Sequence, residues 1–237
     1  MQVDILTLFP EMFQGPLNES LLKKAQTKGL LSFKIINLRD YATDKHHTAD
    51  DTPYGGGAGM VMKADLIKTA LAESAGYKIY MCPTGKQLTQ KRVKELAQKE
   101  KIVILCGHYE GVDERVRALV DEELSLGDYV LTGGELPALV LIDAVARYVP
   151  GVVKEEDSVS NDSFAAGLLD YPCYTRPEDL GGAVVPEVLL SGNHATIDRW
   201  RKKEALKKTF YQRPDLLAKM TIDDDLKKLL SEILTEE

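Results

Sequence analysis

The chain is short of the residues that would mark a secreted, metal-binding or membrane protein. Of its 237 residues only three are cysteine, Cys82, Cys106 and Cys173, too few and too scattered for a disulfide framework. Cys82 and Cys106 fall in strand-like runs and are expected to be buried, reduced thiols. Histidine is scarce as well, with four in all. His46 and His47 stand with Asp44, Asp50 and Asp51 in a polar loop without the paired i, i+4 spacing of zinc enzymes, and His194 suits a helix end, so no metal site is expected. No apolar run nears the roughly 18 residues of a membrane span, and the apolar stretch at 1–9 has no basic flank before it. The expectation is a cytoplasmic protein that does not engage a membrane. Positive charge is in deficit too: the net charge of −7 excludes a surface cationic all over, though not a local basic patch. What is present, 44% hydrophobic and 28% charged residues, suffices to bury a core and cover it with polar surface.

Runs at 3–8, 33–36, 77–82 and 101–106 are apolar or β-branched and read as strands, with helical spacing between the later ones. That alternation predicts a mostly parallel α/β sheet. Ile102, Val103, Ile104 and Leu105 show no polar alternation, as in a central strand covered on both faces. Val93, Leu96 and Ala97 share one face of a helix over 89–100, which completes a βαβ unit between the strands at 77 and 101. From 135 to 149 apolar residues occupy nearly every helical face, through Leu136, Leu139, Val140, Ile142, Val145 and Val149. One buried stripe does not account for them, so a second surface, such as another subunit, is expected to cover the helix. Residues 154–163 carry one apolar residue, Val159, and read as a linker or lid. Past Pro186 the pattern is helical only: Asn193 is placed as the cap of a helix carrying Ile197, Trp200 and Leu206. Thr221 is placed as the cap of another, carrying Leu226, Leu229, Leu230 and Ile233. Three segments result, a domain over 1–160, a linker or lid over 161–185 and a small all-helical domain over 186–237.

Glycine is where the chemistry concentrates. Gly55, Gly56, Gly57 and Gly59 resemble a nucleotide loop, but Met60 and Val61 stand where a Walker loop needs Lys and Ser or Thr, and the dinucleotide fingerprint also fails. A flexible loop fits better. Three other turns follow strands directly: Pro83 to Gly85, Gly107 to Gly111, and Gly133 with Gly134 after the strand-like residues 124–131. Loops at the carboxyl end of an open α/β sheet are where ligands bind, and 127–137 is read as the heart of the site. Arg147, four residues after Asp143, fits an intrahelical ion pair or, on a buried helix, a substrate contact. Asp162 read alone fits the cap of a helix starting at Phe164. Arg199, Arg201, Lys202, Lys203, Lys207, Lys208, Arg213 and Lys219 outnumber the acids Glu204 and Asp215 nearby, which suits an RNA footprint or a solvated helix face.

Taken together, LTLFPEMF at 6–13, PYGGGAGM at 53–60, CGHYEGVDER at 106–115, GDYVLTGGELP at 127–137, DSFAAGLLD at 162–170, YTRP at 174–177 and LSGNH at 190–194 closely resemble the bacterial tRNA (guanine-N1) methyltransferases, over essentially the whole chain. The resemblance implies the SPOUT class: an α/β fold with a deep trefoil knot, a homodimer with its active site at the subunit interface, and S-adenosylmethionine held bent in the knot. It makes 1–160 the methyltransferase domain and 186–237 the tRNA-binding domain. It further implies methylation of N1 of the guanine just 3′ of the anticodon (position 37) when a guanine precedes it, which protects the reading frame, with magnesium ion required. Carried onto matching positions, the cofactor contacts are Tyr80, Met81, Pro83 and Gly85, then Gly107, Tyr109 and Glu110, then Leu126, Tyr129, Leu131, Gly133, Gly134 and Pro137. The same resemblance replaces the cap reading of Asp162 with that of general base and gives Arg147 an essential part in transfer. It departs at His108, where several relatives carry Arg. Two other classes of function stay in view, a non-enzymatic RNA-binding module and a nicotinamide-dependent oxidoreductase. The first leaves the three loops idle and the second lacks its fingerprint.

Overall fold

The computed structural model describes residues 1–154 and 162–235, so most of the expected lid at 154–163 lies outside the described residues. The chain divides into two compact units, Met1–Lys154 and Glu155–Glu237, each taken by itself below.

The first unit is built on five parallel strands in the order β2-β1-β6-β5-β7. They are β1 (Gln2–Thr7), β2 (Ser32–Asn37), β5 (Tyr77–Gln87), β6 (Lys101–Cys106) and β7 (Glu122–Ser125), and a two-residue antiparallel ladder of β3 (Asp50–Asp51) with β4 (Val61–Met62) lies apart. The unbroken apolar run of β6 places it at the centre. Ile102, Ile104 and Cys106 face a core that includes Phe13 and Leu17 of α1 (Glu11–Leu17), Leu22 and Ala25 of α2 (Ser20–Thr27), Leu96 of α4 (Gln90–Ala97) and Leu141 of α5 (Glu135–Ala146). Val103 and Leu105 point the other way, into a core with Leu66, Ile67 and Leu71 of α3 (Ala64–Glu73). A strand so covered has no polar face to alternate with. Thr89 caps α4, its hydroxyl accepting from the Arg92 amide at 3.3 Å, and α4 makes the expected crossover between β5 and β6.

Two expectations change. The strand starting at Tyr77 runs on to Gln87 past a bulge, where Met81 and Lys86 both pair with Leu124, so Pro83 to Gly85 lie within a strand and not in a turn after one. The strand-like stretch 124–131 is β7 only as far as Ser125. Beyond it the Ser125 hydroxyl donates to the Gly127 carbonyl at 3.0 Å and lies 3.2 Å from the Gly127 amide, so a side chain occupies backbone groups that a ladder would use.

The second unit holds a short antiparallel ladder, β8 (Asp179–Leu180) with β9 (Ala183–Val184), then α6 (Glu187–Leu190), α7 (His194–Gln212), α8 (Pro214–Leu217) and α9 (Asp224–Thr235). Leu206, Leu217, Leu226, Leu229 and Ile233 form its core. The segment before Pro186 packs on it, with the Leu169 amide donating to the Thr209 hydroxyl at 2.9 Å. Asn193 caps α7 as the sequence predicts, its side chain accepting from the Thr196 amide. Thr221 does not cap α9: Asp223 does, accepting from the Leu226 amide at 2.8 Å, and a carboxylate there also suits the helix dipole.

Candidate active site

The carboxyl ends of β5, β6 and β7 open onto a cavity of about 380 Å³. Its walls are β5 itself from Tyr80 to Thr84, the loop 107–112 after β6, and the segment 126–134 that leads from β7 into α5. Every residue expected to hold the cofactor lines this cavity except Gly85. Gly85 serves the strand crossing: a Cβ there would come within 2.5 Å of the Leu124 nitrogen and 2.6 Å of the Glu123 carbonyl carbon, so only glycine lets β5 pass β7 at the bulge.

Glycine also lets the two loops touch. The Gly134 amide donates to the Gly107 carbonyl at 2.7 Å, and a Cβ on Gly134 would meet the Cys106 Cα at 2.8 Å. Tyr109 and Tyr129 stand 42% and 56% exposed at the opening, Tyr109 with a positive φ of 58°. Leu124, Leu126, Leu131, Val112 and Pro137 supply apolar wall, and Glu110, Thr84 and Arg117 polar points. An apolar hollow with a few placed polar groups is the common form of a small-molecule site.

Cys82, Thr84, His108 and Arg117 also line the cavity and were not among the expected cofactor contacts. Side chains two apart share a strand face, so Tyr80 pointed to Cys82 and Thr84; for Arg117 the sequence carries no such signal. The Arg117 guanidinium is engaged, donating to Glu123 at 2.5 Å and lying 5.8 Å from the centre of the Tyr80 ring. Burial pushes the Tyr80 phenol up to about 12, so it stays neutral. Burial also raises the Cys82 thiol, reinforced by the hydrogen bond it donates to Glu123 at 3.2 Å. The Gly55 to Gly59 stretch leads into a segment tied to this region, since the Glu110 amide donates to the Met60 carbonyl at 3.0 Å and the Met62 amide to the Gly111 carbonyl at 2.9 Å.

Arg147, half-buried, follows α5 as its C-terminal cap residue in the first unit. Asp162 is half-buried in the second unit. Its carbonyl accepts from the Ala165 amide at 3.0 Å, in a turn where Phe164 takes a φ of 70°. No helix begins there, so the cap reading of Asp162 is corrected. On α7 the cations are less available than their count suggests. Lys202 pairs with Asp225 at 2.5 Å, and Arg199 and Lys203 with Glu232, because α9 brings acids that a local count omits, while Arg201 pairs with Asp198 one turn earlier on α7. Lys207 is half-buried and Lys208 exposed. A wider hollow of about 560 Å³ in the same unit is lined by Tyr171, Tyr174, Arg176 and Arg201 among others, with the Arg201 guanidinium 5.0 Å from the Tyr171 ring centre.

Residues 1–219 match the family model described as tRNA (Guanine-1)-methyltransferase TrmD. A tRNA (guanine-N(1)-)-methyltransferase of Syntrophomonas wolfei is 56% identical over 237 residues, covering 99% of this chain and 97% of its own length. One of Carboxydothermus hydrogenoformans is 57% identical over 97% of this chain and 92% of its own, and one of Dictyoglomus turgidum 53% identical over 100% and 98%. With a sheet-edge cavity lined by the glycine loops and a family match over nearly the whole length, the chain belongs to the tRNA (guanine-1)-methyltransferase family.

Proposed function

We propose that the protein holds S-adenosylmethionine in the 380 Å³ cavity and transfers its methyl group to N1 of guanine 37 of tRNA, the guanine just 3′ of the anticodon, when a guanine precedes it. The activity class, tRNA guanine-N1 methylation, is that of its family. The observation that carries the reading is the convergence of β5, the 107–112 loop and the 126–134 segment on one cavity. Its size falls in the range of roughly 300–1,000 Å³ usual for cofactor-sized ligands. The amide-rich glycine walls let an adenosine ring approach closely, Tyr109 and Tyr129 offer it aromatic faces, and Glu110 suits a cationic or amino group. When bound, the cofactor supplies an electrophilic methyl on a sulfonium.

Guanine N1 carries a proton and is a poor nucleophile until a base takes it. Asp162 is that base in this reading. Charge left on the ring spreads to O6, where the Arg147 guanidinium donates and stabilises it, an electrostatic contribution of the oxyanion type. The fold reading that accompanies the function is a deep trefoil knot within 1–160. It is supported by how tightly the segments pass one another at Gly85 and at the contact between Gly134 and Gly107. A homodimer is supported by α5, whose Leu136 and Val140 are 50% and 49% exposed on a helix with few polar positions to spend on solvent. The second unit then takes up tRNA through Arg199, Arg201, Lys202, Lys203, Lys207 and Lys208, the ion pairs of the first four being weak enough to exchange for phosphate. Among the described residues no group of three or more His, Cys, Asp or Glu could hold a metal ion. Magnesium, which the family resemblance implies, is assigned to substrate phosphates, where the ion keeps most of its water. No described helix is long and apolar enough to cross a membrane, and the cytoplasm, where tRNA is, is the proposed location.

The test is Asp162→Asn under single-turnover conditions. Methylation should fall by about 10²-fold or more while affinities for S-adenosylmethionine and tRNA stay within twofold. Activity within a few-fold of the parent would remove Asp162 from the role of base.

A further inference from the structure

Two carboxylates among the described residues are almost wholly buried, Asp4 and Glu135, each 1% exposed. They are held differently. Asp4 has a fixed cation, the Lys101 ammonium at 2.7 Å. Glu135 accepts from the Thr7 hydroxyl at 2.8 Å through one oxygen, while the other faces the His108 ring nitrogen Nδ1 at 3.6 Å. That nitrogen is itself buried without a hydrogen-bond partner. A carboxylate taken from water without a lysine or arginine costs stability, and an apolar residue would suit the rest of α5, so its presence calls for a use.

Its position supplies one. Thr7 is the last residue of β1, His108 lies in the loop after β6, and Glu135 is the first residue of α5, directly after Gly133 and Gly134. The carboxylate thus joins three segments that end at the same sheet edge, 128 residues apart in the case of Thr7. The Thr7 hydroxyl is itself oriented, because it accepts from the Phe9 amide at 2.9 Å and so turns its proton to Glu135. The Phe9 ring packs on His108, centroids 4.6 Å apart. Gly133 has no room for a Cβ because His108 Nδ1 and Glu135 Oε2 fill that space, and it pairs with His108 in an isolated antiparallel bridge. His108, Gly133 and Gly134 all line the cavity, and Glu135 does not. The start of a helix also favours a negative charge at this place.

We propose that Glu135, held by Thr7 and facing His108, is a positioning residue for methyl transfer: it pins the Gly133–Gly134 turn against the 107–108 backbone and so fixes the width of the cofactor cavity. The proposal rests on the reading of that cavity as the S-adenosylmethionine site. Groups that shape a site from behind its lining act in this way, by holding the lining at a spacing that the ligand fits.

The experiment measures S-adenosylmethionine affinity by calorimetry, the tRNA KM and kcat, and thermal stability for the full-length parent, Thr7→Ser, Thr7→Val, Glu135→Gln and the double variant Thr7→Val/Glu135→Gln. Binding is read at a temperature where every chain is folded. Thr7→Ser keeps the hydroxyl and should stay within twofold of the parent. Thr7→Val, nearly the same shape without the donor, should weaken cofactor binding about tenfold with the tRNA KM unchanged. The double variant should be weaker than Thr7→Val by less than the Glu135→Gln effect alone, since the two residues act as one unit. If Thr7→Val lowers only the melting temperature and binds cofactor like the parent, Glu135 merely fills the core and the proposal is overturned. Fully additive losses would overturn it as well. A parent that does not bind S-adenosylmethionine at all would instead refute the reading of the cavity, and the proposal with it.

Discussion

Thiol chemistry at single residues separates the three cysteines by where the strands put them. Cys106 ends β6 with no exposed surface, and burial, with the Glu135 carboxylate close by, holds its thiol well above the usual range. Cys82 is 7% exposed on the cavity wall and its thiol is raised by burial, whereas Cys173 is exposed. The thiolate is the reactive form, so a raised pKa means slow alkylation at neutral pH and a rate that climbs only above the ordinary thiol range of about 8.5. With iodoacetamide at pH 7.5, mass spectrometry should find Cys173 modified first, Cys82 slowly and Cys106 not at all. Saturating S-adenosylmethionine should suppress the Cys82 reaction further. Equal labelling of Cys82 with and without cofactor would place the ligand elsewhere. Sequence alone reached the burial of Cys82 and Cys106 because both sit in β-branched or apolar runs. The wall position of Cys82 follows from Tyr80, two residues earlier on the same strand face and lining the same cavity.

Among elements, α5 carries the most consequence. Ala138, Leu141, Ile142 and Val145 are buried in the first unit while Leu136 and Val140 stay about half exposed, and large apolar side chains on one exposed face favour a partner surface. Replacing both Leu136 and Val140 by Glu should convert a dimer to a monomer in analytical ultracentrifugation and abolish methylation, with helix content by circular dichroism unchanged. A parent that sediments as a monomer, or a variant that remains dimeric, would take α5 out of the interface. The apolar excess of this helix was plain in the sequence, as was β6, because a strand covered on both faces leaves a run with no polar interruption. Element ends were less plain. Ser125 ends β7 with a local side-chain bond, and Asp223 displaces Thr221 as the cap of α9; in both, short-range hydrogen bonding outweighs the hydrophobic pattern that suggested the longer element.

For the whole molecule, the division at Lys154 and Glu155 separates a cavity-bearing sheet unit from a unit rich in helices. An acidic total charge is compatible with tRNA binding because the cations of α7 are concentrated, even though acids of α9 answer several of them. The 107–111 loop of the site was legible in the sequence because it follows β6 directly, whereas Pro83 to Gly85 lie inside β5 and Gly133 stands well beyond the end of β7. The Thr7, His108 and Glu135 cluster was not legible, since its members are separated by up to 128 positions and no local pattern joins them. The methyl-transfer reaction itself is open to a single assay. Purified protein, S-adenosylmethionine labelled in its methyl group and a tRNA transcript with guanine at positions 36 and 37 are combined, and the product is mapped by nuclease digestion and mass spectrometry. The prediction is a single methyl on N1 of guanine 37, with little transfer when guanine 36 is replaced. No transfer, or methylation at another atom or position, would contradict it.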